Sequence, residues 1–229
     1  MNATGENDPA RGENAPARGG ERRDFTAPLG ATTHGRLEFV RGASLITLAA
    51  DPAMPELFHA HFEGPVPKVQ VHAGEVTIQY RRLSLTEWAK YALLWGRHAA
   101  AIRLSASIPW QIAIRGGVSK LNADLRGLRL GEFDVRGGAS EVEALLPAPA
   151  GVVAIRITGG ASNVTLYRPA GTAARVQVRS GASRLTFDDQ HFGAVGGPVR
   201  LATPGYANAA DRYEIEVLGG ASKLTVDTR

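Results

Sequence analysis

A short phrase, Gly-Ala-Ser set before alternating apolar residues, keeps returning in this chain and constrains its fold more than any other feature. It stands at Gly42-Ala43-Ser44, Gly117-Val118-Ser119, Gly138-Ala139-Ser140, Gly160-Ala161-Ser162, Gly181-Ala182-Ser183 and Gly220-Ala221-Ser222. From Gly117 the steps are 21, 22 and 21 residues, and the last, of 39, is close to two periods. A fixed period of that length marks like units that stack on one another. It predicts an all-β single-stranded β-helix, a solenoid of 21-residue coils. A β-sandwich also yields short strands and Gly-rich turns, but does not require the same tripeptide at a fixed interval.

One coil shows the grammar. Val153, Ile155 and Ile157 alternate with Ala154, Arg156 and Thr158, the period of a strand with one buried face. Gly159-Gly160-Ala161-Ser162 then makes a corner, where glycine supplies backbone angles closed to other residues and Ala and Ser are small enough to bend inward. Val164 and Leu166 resume the alternation, and Arg168-Pro169-Ala170-Gly171 makes a second corner, because proline cannot continue a ladder. Each coil is expected to hold two or three strands, with the corner serines aligned in a column and able to hydrogen-bond along it.

The first third is less regular. Residues 58–63, 66–71 and 75–80 read as three consecutive strands of one early coil. Ser84 to Glu87 is a capping-box pattern, and Trp88, Tyr91, Leu94 and Trp95 follow at helical spacing, which predicts one inserted helix over 84–97. Residues 1–28 are Asn, Gly, Glu, Pro and Arg with almost no large apolar side chain, so they are expected to form a disordered tail before a solenoid domain over 29–229. The chain contains no Cys, which excludes disulfides and thiolate chemistry, and its net charge of +4 raises the prospect of an anionic partner only slightly. No signal peptide or membrane-length apolar run is visible, so the expected location is cytoplasmic, with peripheral membrane association as the alternative.

The segments IRGGVSKLNADL, VRGGASEVEALL, ITGGASNVTLYRP, VRSGASRLTF and VLGGASKLTV resemble the toast-rack type β-helix domain of bacterial adhesin-like proteins and envelope stress-response accessory proteins. The likeness runs from about residue 36 to 229 and is greatest to soluble actinobacterial members. It implies the β-helix fold and, by analogy, a link to the cell envelope. It implies no catalytic residues.

Candidate sites lie on outward positions. His59 and His61 share a strand face and His72 is expected on the adjacent strand, a possible metal trio, although Glu63 is the only carboxylate in phase. Exposed strand histidines are the plainer account. Asp188 and Asp189, with Arg184, His191 and the loop over 193–197, supply the residue types of a glycan-active enzyme on a β-helix flank, yet turn formation explains the Asp pair without chemistry. Arg156, Arg175, Arg179, Arg184 and Arg200 occupy outward strand phases and would stack into a surface for phosphate or an anionic glycan. No aromatics interleave with them, which speaks against nucleic acid. Trp88, Tyr91 and Trp95 give the predicted helix an aromatic face, suited to a membrane or partner but more simply to packing on the solenoid.

These observations predict a non-catalytic binding or scaffolding solenoid without cofactors. A glycan-active enzyme and an adhesin-like or membrane-surface module are the alternatives. Because the Leu224–Val226 strand comes last in the sequence, the final coil is expected to expose an edge through which copies self-associate.

Overall fold

The alternation that marks the repeat is strand alternation. In the computed structural model, residues 23–80 and 99–229 are described. They contain β1 (Asp24–Pro28), β2 (Gly35–Val40), β3 (Ala43–Asp51), β4 (Glu56–Glu63), β5 (Lys68–His72), β6 (Glu75–Gln79), β7 (Ala99–Ser105) and β8 (Pro109–Arg115). There follow β9 (Val118–Asp124), β10 (Arg129–Arg136), β11 (Ala139–Leu145), β12 (Val152–Thr158), β13 (Ala161–Arg168) and β14 (Ala173–Val178). The last are β15 (Ala182–Phe187), β16 (Gln190–Phe192), β17 (Val199–Ala202), β18 (Arg212–Val217) and β19 (Ala221–Thr228). The one helical element among the described residues is a 3₁₀ turn at Tyr206–Asn208. The helix expected over 84–97, with Trp88, Tyr91 and Trp95, lies outside the described residues, as does the tail up to residue 22.

The strands form two mixed, largely parallel sheets, a solenoid-like all-β arrangement. The ten-stranded sheet runs β1-β4-β7-β3-β9-β11-β13-β19-β15-β16, and the nine-stranded sheet runs β17-β14-β18-β12-β10-β8-β2-β6-β5. Each repeat gives one strand to each sheet, with the Gly-Ala-Ser corner between them, so a rung has two strands. Inside the sheets the pairing is parallel and in register, as in Val142↔Val164 and Val164↔Leu224. At the ends it is antiparallel, through β1, β4, β5, β16 and β17.

Burial follows the alternation. Val153, Ile155 and Ile157 of the nine-stranded sheet, and Val164 and Leu166 of the other, are at most 1% exposed and belong to one continuous apolar cluster. At the corners, Ala139, Ala161, Ala182 and Ala221 turn inward, while Ser140, Ser162, Ser183 and Ser222 are exposed. The corner serines do line up in a column, on the outer surface beside an inward column of alanines, but no hydrogen bond joins them among the described residues. The preceding glycines allow backbones of successive rungs to touch. Gly137 and Gly159 have φ of +118° and +117°. A Cβ on Gly159 would lie 2.5 Å from the Gly137 carbonyl oxygen, and one on Gly137 would lie 2.8 Å from Gly116 backbone atoms. Only glycine meets both demands.

Four sequence expectations are corrected. The rungs do not stack in chain order: β18 lies between β12 and β14, and β19 between β13 and β15. The 39-residue step is thus one rung plus an excursion through β16, β17 and the 3₁₀ turn. For the same reason β19 is no edge, and the expected self-association through a bare final coil loses its basis. Residues 58–80 do not form a coil, since β4 belongs to one sheet while β5 and β6 make an antiparallel hairpin at the rim of the other. Finally, β1 begins at Asp24, inside the stretch read from composition as tail, and pairs with β4.

Candidate functional site

The outward face of the nine-stranded sheet is a mosaic of paired charges. Parallel register sets Arg175 beside Glu214, and Arg156 beside Glu216 and Asp134. Arg175 lies 3.4 Å from Glu214, Arg179 lies 2.6 Å from Glu216, and Arg156 is ion-paired with Glu132. Arg115–Glu38 at 2.9 Å and Arg136–Asp134 at 2.6 Å continue the pattern. Arg200, on the rim strand β17, donates to the Gln177 side-chain oxygen at 3.1 Å. Of the five arginines expected to align, Arg156, Arg175 and Arg200 lie on strands of this sheet and Arg179 directly follows β14; all but Arg200 sit against carboxylates. Partly exposed pairs of this kind contribute about 0–1 kcal/mol each; what they do here is cancel the field.

Arg184 is on the other sheet, and its surroundings differ. It pairs in register with Lys223, and the next residue along the row is Asn163. All three are exposed, and neither cation meets a carboxylate among the described residues. The row one step along each strand is Thr186, Thr225 and Thr165, and the corner before it presents Ser183, Ser222 and Ser162. Three consecutive strands thus present hydroxyl, cation or amide, then hydroxyl. Beside them an open trough of about 420 Å³ is lined by Ser180, Ser183, Val195 and Ser222. Adjacent like charges on neighbouring strands destabilise a sheet, a cost that a bound anion would remove. Sequence reading singled out Arg184 but not Lys223. The signal was there, since both follow a Gly-Ala-Ser, but only rung order makes them neighbours.

The histidines fall apart as a trio. His72 is on β5 of the nine-stranded sheet, whereas His59 and His61 are on β4 of the ten-stranded one. The strand that joins them is β1, which brings Asp24: its Oδ1 accepts from His61 Nδ1 at 2.8 Å and lies 3.4 Å from His59 Nε2. Hydrogen bonding from His61 holds the Asp24 carboxyl below its usual range. Arg103 Nη2 meets His59 Nδ1 at 2.9 Å. With Arg103 donating there, the imidazole proton sits on Nε2, facing Asp24. A metal held by Nε2 would need that proton on Nδ1, where the guanidinium already donates. The cluster fastens β1 to β4, and among the described residues no group of three or more His, Cys, Asp or Glu is placed to hold a metal.

Asp188 and Asp189 also separate. Asp188, with φ of +53°, turns the chain after β15 and accepts from Arg168 Nη2 at 2.6 and 2.5 Å. Asp189 is exposed, and His191 Nδ1 lies 3.3 Å from Thr186 Oγ1. No helix among the described residues is long and apolar enough to cross a membrane.

Residues 33–167, more than half of the chain, match the family model described as the N-terminal domain of toast_rack, DUF2154. Comparison with curated proteins finds no match. Among solved structures, a "putative cell adhesion protein" from Clostridium sporogenes is similar at 16% identity and a TM-score of 0.61, over 90% of this chain and 99% of that one. That likeness concerns the fold alone. A "putative adhesin" from Bacteroides fragilis has 11% identity and a TM-score of 0.32, over 90% of this chain and 95% of that one, too distant to carry weight.

Proposed function

The chain belongs to the toast-rack family, and from that membership we propose that it is a non-catalytic binding module of the cell envelope, with the outer face around Arg184 and Lys223 as its contact surface. The scaffold is a solenoid of two-strand rungs, and the ligand class is an anionic glycan. The observation that carries this reading is the contrast between faces. One sheet neutralises its arginines in place, while the other leaves Arg184 and Lys223 side by side among hydroxyls. Regular strand spacing, about 4.8 Å, sets these groups at even intervals, which suits a polymer bound by repeated weak contacts. A non-catalytic reading is supported by Asp188, whose carboxylate serves a buried arginine, and by the exposed, separate positions of Asp189 and His191.

The test is retention of the full chain on immobilised polygalacturonate against neutral dextran. Retention on the first alone, weakened by salt, is the expected result. Arg184→Glu with Lys223→Glu should abolish it, and Arg156→Gln on the opposite face should leave it unchanged. Equal retention of the Arg184→Glu, Lys223→Glu variant, or equal retention on dextran, would refute the proposal.

A further inference from the structure

The rung built from β18 and β19 is gripped on both sides by rungs that precede it in sequence. β18 pairs from Arg212 to Val217 with β12 and with β14, and β19 pairs from Ala221 with β13 and with β15. Among the described residues, the rung of β14 and β15, with its rim strands β16 and β17, forms ladders with no rung but that of β18 and β19. Along the chain it is joined to β13 by a turn in which Thr172 N–H bonds the Pro169 carbonyl at 3.2 Å. The Arg168–Asp188 pair reaches from the end of β13 across β19 to the end of β15, so it closes over the inserted rung.

We infer that residues 212–228 form an exchangeable rung, and that the site they fill accepts the same rung from a second copy of this chain. Without it, β12 and β14 in one sheet, and β13 and β15 in the other, would face each other as unpaired edges one strand apart. Such edges bind a strand through main-chain hydrogen bonds, and specificity comes from the inward side chains Tyr213, Ile215, Val217, Leu224 and Val226, all at most 2% exposed. A second copy supplies the identical set in the identical register. Exchange needs a connection that can open, and residues 203–211 provide one: apart from the 3₁₀ turn they lack regular structure, and Gly205 takes φ of +75°. Its length controls the outcome. Ala202 lies beside Arg175 on one flank of β14 and Arg212 beside Ala173 on the other, so the connection has to cross that strand. Shortening it until it no longer crosses drives the rung into a neighbour.

The chain has no Cys, which makes the test clean. Thr165 and Thr225 are register partners on β13 and β19. One full chain carries Thr165→Cys and another Thr225→Cys; the two are unfolded together, refolded at high concentration and treated with a short bismaleimide. A covalent heterodimer is expected, becoming the main species when residues 204–210 are deleted from both chains. Linkage of Thr165→Cys chains to one another at the same yield would mean random contact and would overturn the inference. So would a shortened chain that stays monomeric with an unchanged far-ultraviolet β signal. Should the shortened chain fail to fold, the full-length pair decides: no linked heterodimer after refolding at high concentration overturns it. Glycan retention is read separately, on the unsubstituted chain, because Thr165 and Thr225 stand in the proposed contact row.

Discussion

Replacing Asp188 should cost this protein more than replacing the arginine it holds. Arg168 continues the inward row of Leu125 and Leu146, and its side chain is 2% exposed, whereas Asp188 is 29% exposed. Asp188→Gly keeps the left-handed turn, because glycine takes φ of +53° without penalty. It leaves a guanidinium buried without its counter-charge, and Arg168 Nε already lacks a partner. Removing one partner of a buried pair costs about 3–5 kcal/mol. The partial exposure of Asp188 places this case near the lower end, about 3 kcal/mol, or a melting temperature lower by about 6–12 °C at this chain length. Arg168→Leu removes the demand instead. It extends the leucine row and leaves a carboxylate that water can reach, so the cost should be within about 1 kcal/mol. The double variant should match Arg168→Leu alone. Urea unfolding of the three variants measures this directly. If Arg168→Leu proves as damaging as Asp188→Gly, the reasoning from burial asymmetry is wrong.

Three further outcomes follow from the same structure. Gly159→Ala should lower stability by about 2 kcal/mol or more, combining a left-handed backbone with a backbone collision, while Gly160→Ala, with nothing within 4 Å, should change it by less than about 0.5 kcal/mol; thermal melts of the pair separate corner strain from a general intolerance of side chains. Burial raises the Tyr80 hydroxyl to about 12 and moves that of Tyr213 upward as well. The unfolded chain therefore releases these protons first, and stability should fall as pH climbs from about 10 toward 12; Tyr80→Phe should flatten that fall in urea midpoints, and an unchanged slope would count against it. The Asp24 carboxyl, held low by His61, helps only while ionised, so the fastening of β1 should persist above the usual carboxylate range and fade as acid protonates it. Asp24→Asn should accordingly speed tryptic cleavage after Arg23 at neutral pH, and cleavage at the wild-type rate would exclude this role.

Much of the architecture was legible because it rests on side-chain pattern. Val153, Ile155 and Ile157 point inward for the same reason that they alternate, and Gly159 and Gly181 mark corners because no other residue lets the backbones touch. The candidate site was half legible. Arg184 stood out as an outward cation, but nothing in its own strand distinguishes it from Arg156, whose field is cancelled by Glu132.

What the chain's residues determined alone was the content of each rung: which side chains are buried, where the turns fall, and that strands pair edge to edge. Tertiary structure decided the order of the rungs. Backbone hydrogen bonds along a parallel ladder are indifferent to side-chain identity, and each rung offers its neighbours nearly the same alanine, valine and leucine surface. The pattern therefore permits any stacking order. The placement of β18 and β19 between older rungs, the meeting of Arg184 with Lys223, and the arrival of Asp24 beside His61 all depend on that order, because each joins residues whose local sequences carry no reference to one another.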